Sequence, residues 1–241
     1  MLKLDILVLS VHPDDAELGC AGTLLKHIAD GKKVGIVDLT RGELGTRGSV
    51  EIRAAEAAAS AAILGLHARE NLGLPDGFFQ NTQEYQLKVI AAIRKYQPEI
   101  IIGNAKHDRH PDHGRAYELI DTACFLSGLR KIETYSDGEL QQPWRPNILL
   151  NFIQDEYIEP DILIDVTEHW DKKIESIKAF GSQFYNPDWN EGEPQTYISS
   201  PGFIEGIDGR AREFGKIMGV TYAEGFTSHR VLGVDNLFNL K

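Results

Sequence analysis

Cysteine is scarce in this chain of 241 residues: only Cys20 and Cys124 are present. That excludes a disulfide framework and leaves a cysteine-based zinc site without ligands, so both thiols read as small buried hydrophobes. Long apolar runs are missing as well. The first run, residues 6–11, is too short for a signal-peptide core, and no run approaches a membrane span. The expectation is a cytoplasmic chain with no membrane partner. Positive charge is in short supply: 25 basic against 36 acidic residues give a net charge of -11, with the acids scattered. This disfavours nucleic acid as a partner. It leaves room for an anionic small substrate, because a few local arginines override the mean field at short range. Repeats, heptads, low-complexity tracts and linkers are absent, so residues 1–241 read as one domain. Neither G-x-G-x-x-G nor a P-loop occurs, which removes the nucleotide-binding oxidoreductases.

What is present is an alternation of strand and helix signals. Apolar runs at residues 4–11, 34–39 and 99–103 suit strands buried on both faces, with shorter strands near 70–72, 148–152 and 161–165. Helices are expected over 14–29, 51–64, 82–96, 111–127 and 168–180, with Gly31 and Gly65 as stops and Pro111 in a first turn. The pattern predicts an α/β fold: a doubly wound, Rossmann-like, mostly parallel sheet with helices on both faces. Residues 181–224 are rich in Gly, Pro, Asn and aromatics and are expected to be irregular, with one short helix at 210–218 that caps the site mouth or contacts another subunit.

In such sheets ligands sit beyond the carboxyl ends of the strands. Two histidine clusters fall there: His12-Pro13-Asp14-Asp15 after the first strand, and His107-Asp108-Arg109-His110-Pro111-Asp112-His113 after the strand ending at Gly103. A catalytic zinc site needs about three His or carboxylate ligands and one open position. His12, Asp15 and His113 can supply the three, leaving Asp14 beside the metal as a general base. His-Pro-Asp-Asp alone reads equally well as a capped strand-to-helix turn. The second cluster favours the metal site, since three histidines in seven residues are costly to bury unpaired. Zinc is the default for two imidazoles and one carboxylate, although other divalent metals fit the same ligands. An iron oxygenase would prefer a β-sandwich, and a non-catalytic metal protein leaves Asp14 without a role.

The two motifs resemble those of the PIG-L/LmbE-like N-acetylglucosamine deacetylases, in particular the bacillithiol-biosynthesis branch, and the resemblance extends to Glu224-Gly225-Phe226. It implies zinc on His12, Asp15 and His113, with Asp14 as base and then acid for hydrolysis of an N-acetyl group. His110, if protonated, would stabilise the oxyanion. Some relatives place a tyrosine just before the second motif; here that position is Asp108. The resemblance assigns Arg53 and Asp76 to the sugar, and Arg109 can grip a carboxylate bidentately, which suits N-acetylglucosaminyl malate. Free N-acetylglucosamine and diacetylchitobiose are the alternative substrates. It also implies homo-oligomers, trimers or hexamers. The roles of Glu43, His107 and His229 stay open, with turn, surface and tail readings respectively.

Overall fold

The structure, a computed structural model, describes residues 2–189 and 192–240. The first strand, β1 (Ile6–Ser10), and the second, β2 (Val34–Thr40), are buried at every position. Their side chains alternate between two cores. Leu7, Leu9 and Val37 pack with Val89 and Ile93 of helix α3 (Gln83–Tyr96) and with Leu119 and Ile120 of α4 (Pro111–Leu126). Ile6, Val8 and Ile36 face Ala16, Cys20 and Leu24 of α1 (Asp15–Ala29) and Leu64 of α2 (Val50–Leu64). Period-2 burial on both faces is what a doubly wound sheet requires.

The remaining strands are β3 (Ala68–Leu74), β4 (Ile100–Gly103), the small hairpin β5 (Tyr135–Ser136) and β6 (Glu139–Leu140), β7 (Ile148–Phe152), β8 (Ile162–Asp165) and β9 (Ala223–Ser228). The main sheet runs β3-β2-β1-β4-β7-β9-β8. Pairings from β3 to β7 are parallel, whereas β9 lies antiparallel to both β7 and β8. The winding direction reverses between β1 and β4, which opens a crevice where the two histidine clusters emerge.

Local chemistry sets the helix ends. Ser49 caps α2 by accepting from Ile52 N, and Gly65 closes it in the left-handed conformation at φ 72°. Thr82 caps α3 in the same way.

The carboxyl-terminal region is more regular than its composition predicts. Beyond α5 (Trp170–Lys178), a helix of 17 residues, α6 (Gly202–Met218), replaces the short piece expected at 210–218. Gly206, Gly209 and Gly215 in its interior each weaken the helix signal by about 1 kcal/mol, and packing of Ile207, Ala211 and Phe214 overrides them. Strand β9 was hidden for a related reason: Glu224 and Gly225 are poor strand formers. Their use is tertiary. The Glu224 carboxylate accepts from Gly22 N (2.9 Å) and Thr23 N (2.7 Å) in the middle of α1, and Lys173 Nζ donates to Glu224 (2.6 Å) and to Leu18 O (2.9 Å). A buried ion pair thus fastens the central helix to α5 and β9. Close approach needs glycine at Gly19, where a Cβ would overlap the Phe152 ring.

Candidate active site

His12 leaves the carboxyl end of β1, and its ring has two different sides. Nε2 pairs with Asp76 Oδ1 at 2.9 Å, while Nδ1 lies 3.7 Å from Asp15 Oδ2. His113, in the first turn of α4, repeats the arrangement: Nδ1 pairs with Asp108 Oδ2 at 2.7 Å and Nε2 faces Asp15 Oδ1 at 3.3 Å. Each imidazole therefore has one nitrogen held by a carboxylate and the other turned toward Asp15, the arrangement by which proteins orient metal-ligating histidines. Asp15 itself is clamped by Gln154 Nε2 (2.7 Å), Asn104 Nδ2 (3.1 Å) and His12 N (3.0 Å). His12 Nδ1, the Asp15 carboxylate and His113 Nε2 form a mixed imidazole and carboxylate donor set that fits a divalent cation.

Two other groupings have donor atoms within 4.8 Å of one another: His12 with His110 and His113, and His12 with Asp76 and Asp112. Their extra members already have partners. His110 Nδ1 accepts from Asp112 N (3.2 Å), which places the proton of a neutral ring on Nε2. Asp112 accepts from Gly77 N (2.7 Å) and pairs with Arg115. Burial, then the neighbouring His12 and His113, lowers the pKa of His110. The ring that the resemblance assigns to the oxyanion thus presents its Nε2 side as a donor at the amino end of α4.

Asp14 is 4 % exposed, and one of its oxygens is held by Arg53. Arg53 Nη2 donates to Asp14 Oδ2 at 2.7 Å and to Pro13 O at 3.2 Å, whereas Asp14 Oδ1 has no hydrogen-bond partner among the described residues. Burial pushes the Asp14 carboxyl up to about 7 against the opposing pull of Arg53. Burial alone would lower both ligand imidazoles, but Asp15 and Asp76 lift His12 to about 9, and Asp15 and Asp108 lift His113 to about 10. Those two histidines hold the Asp15 carboxyl well below its usual range despite burial.

The loop after β2 explains the motif Thr40-Arg41-Gly42-Glu43. Gly42, at φ 66°, is where the Arg53 guanidinium passes so closely that any Cβ would collide with it. Glu43 Oε1 accepts from Asp76 N (2.8 Å), and Leu44 N donates to Asp76 Oδ2 (3.0 Å). Arg53 and Asp76, expected at the sugar, are thus both engaged inside the protein, on the base and on His12. Arg109 is exposed; its Nε donates to Asp155 Oδ2 (2.9 Å) and its guanidinium stacks 4.5 Å from the Tyr197 ring. His107 is on the surface, and His229 stacks on Tyr117. Sequence reasoning missed Asn104, Asp108 and Gln154 as orienting groups, although the first and last follow predicted strand ends.

A sequence model described as PIG-L, GlcNAc-PI de-N-acetylase, matches residues 7–124, the stretch that holds every member of the donor set. The structure is also similar to the crystal structure of the conserved protein TT1542 from Thermus thermophilus: TM-score 0.85, 37% identity, 96% of this chain and 98% of that one. The chain belongs to the PIG-L deacetylase family. Within the curated relatives, it is 28% identical over 232 residues to a diacetylchitobiose deacetylase of Thermococcus kodakarensis, covering 91% of this chain and 81% of the relative. It is 26% identical over 192 residues to a Bacillus anthracis protein named "probable N-acetyl-alpha-D-glucosaminyl L-malate deacetylase 2", covering 74% and 81%. The PIG-L match places both histidine motifs within one matched unit. Among the described residues no helix is long and apolar enough to cross a membrane.

Proposed function

We propose that this chain is a zinc-dependent hydrolase that removes the acetyl group from an N-acetylated amino sugar. The observation that carries the reading is the pair of imidazoles, each braced by its own carboxylate and turned toward Asp15, with Asp14 alongside and free of ligation. His12, Asp15 and His113 would hold the cation. Once bound, it supplies Lewis acidity, lowering the pKa of a water toward roughly 7 and polarising an acyl carbonyl.

The protein's own groups carry the proton. Arg53 fixes Asp14 Oδ2 and leaves Oδ1 to take a proton from the attacking water and return it to the departing amine. A carboxyl tuned near neutrality suits both directions of that transfer. His110 offers its Nε2–H to the oxygen that gains charge as the carbonyl is attacked; a neutral donor at a helix amino terminus can do this without carrying a full charge. Asp76 and Asp108 keep the ligand rings from rotating.

The proposed substrate class rests on the relatives' names. N-acetylglucosaminyl malate leads, since a carboxylate-bearing aglycone has arginines to meet; free N-acetylglucosamine and diacetylchitobiose are the neutral alternatives. We also propose a cytoplasmic homo-oligomer, trimer or hexamer, without a nucleic-acid or membrane partner, consistent with the net charge of -11. Substituting Asp14 by Asn tests the chemistry. Retained metal with lost amine release supports it, and undiminished release contradicts it.

A further inference from the structure

A groove of about 210 Å³ lies between the loop after β7 and the amino-terminal half of α6, bordered by Asp155, Tyr197, Ser200, Phe203 and Arg210. It adjoins the donor set through the chain itself. Asp155 follows Gln154, which holds Asp15, and Asp155 takes the side chain of Arg109, which follows the His113 partner Asp108.

The charges in this groove do not balance. Asp155 has both oxygens committed, Oδ2 to Arg109 Nε (2.9 Å) and Oδ1 to Tyr197 OH (3.0 Å). Asp108 is committed to His113 and to the backbone N–H groups of Arg109 and Glu156. Arg210 is left over. Among the described residues it makes one hydrogen bond, from Nη1 to Asp155 O at 3.0 Å, and no ion pair. Arg94 and Arg69 differ: Arg94 donates to four oxygens and Arg69 pairs with Glu17 and Asp38. A half-buried guanidinium with most of its donors unspent is a poor structural element and a ready anion receptor. Burial lowers its pKa and the nearby Asp155 and Asp108 only partly offset that, so the charge is undercompensated where it stands.

We infer that Arg210 is the specificity-determining residue of an anion subsite, binding a carboxylate on the aglycone of the substrate while the N-acetyl sugar occupies the Asp14 and His110 end. This deepens the deacetylase reading and rests on it. Arg109, tied to Asp155 and stacked on Tyr197, shapes the wall of the subsite, and Arg210 supplies the free fork.

The zinc-loaded full-length protein and its Arg210→Gln variant are compared on N-acetylglucosaminyl malate and on neutral diacetylchitobiose. The expected result is a KM for the malate compound raised about tenfold or more, as for a lost charge-assisted pair, with kcat within about twofold and the neutral KM unmoved. Arg210→Lys, which keeps the charge without the fork, should fall between. Equal changes for both substrates would assign Arg210 to the scaffold and overturn the subsite. Calorimetric binding of the deacetylated product, glucosaminyl malate, separates the two claims. A wild type that turns over neither substrate but loses product affinity on Arg210→Gln sinks the deacetylase reading and keeps the subsite. Equal product affinity in the two proteins overturns the subsite whatever the turnover.

Discussion

Asp108→Asn changes one heavy atom and should weaken metal binding. Asp108 Oδ1 accepts from Arg109 N and Glu156 N, both at 2.9 Å, and Oδ2 accepts from His113 Nδ1 at 2.7 Å. In an asparagine the two backbone donors hold the amide oxygen at the Oδ1 position, which turns the NH2 group toward His113 Nδ1. Donor then meets donor. The ring can relieve this by moving its proton to Nε2, the nitrogen that faces Asp15 at 3.3 Å, and a protonated Nε2 cannot ligate. Loss of an orienting carboxylate typically lowers metal affinity about 10–100-fold, or ~1.4–2.8 kcal/mol. Asp108→Ala leaves space for a water to accept from Nδ1 and should cost less than Asn. The assay is competition for zinc between stripped protein and a chromophoric chelator, with folding checked by circular dichroism. An Asn variant that binds zinc within about twofold of wild type would refute the tautomer argument.

Two further outcomes follow from the same contacts. Lys173→Met leaves the Glu224 carboxylate buried with only backbone partners, so chemical denaturation should show a loss of about 3–5 kcal/mol, partly restored in the Lys173→Met/Glu224→Gln double variant; a loss below about 1 kcal/mol would mean that the pair does not fasten α1. Zinc loading of the stripped protein near pH 7.5 should release about two protons from the ligands, beyond any from metal-bound water, because His12 and His113, raised to about 9 and about 10, must become neutral to ligate. Affinity therefore falls as pH falls below about 10, and more steeply below about 9, where both rings are charged. Calorimetry in buffers of different ionisation enthalpy counts the protons, and a count of zero would contradict the assignment of those two ligands.

The readability of this molecule from its sequence divides along physical lines. The donor residues were legible because they sit in two short motifs, each directly after a buried strand, and strand ends at a switch point converge by topology alone. The internal partners of Arg53 and Asp76 were not legible, since nothing local to either shows that Gly42 opens a path for Arg53 to Asp14, or that Glu43 and Leu44 turn Asp76 onto His12. Gln154 and Asn104 reach Asp15 only because β4 and β7 pair in register, with Gly103 opposite Asn151. The carboxyl-terminal third was the least legible part. There, α6 tolerates four glycines and β9 tolerates Glu224 because each is held by contacts with residues far away in the chain, which local propensity does not record.

The most direct test is amine release from N-acetylglucosaminyl malate, N-acetylglucosamine and diacetylchitobiose by protein stripped of metal and reloaded with zinc, beside its Asp14→Asn variant. Zinc-dependent release, fastest from the malate compound, is expected, with an Asp14→Asn protein that retains zinc but is slower by about 10²–10⁴-fold. Zinc bound by the wild type with no release from any of the three, or equal release by the variant, would contradict it.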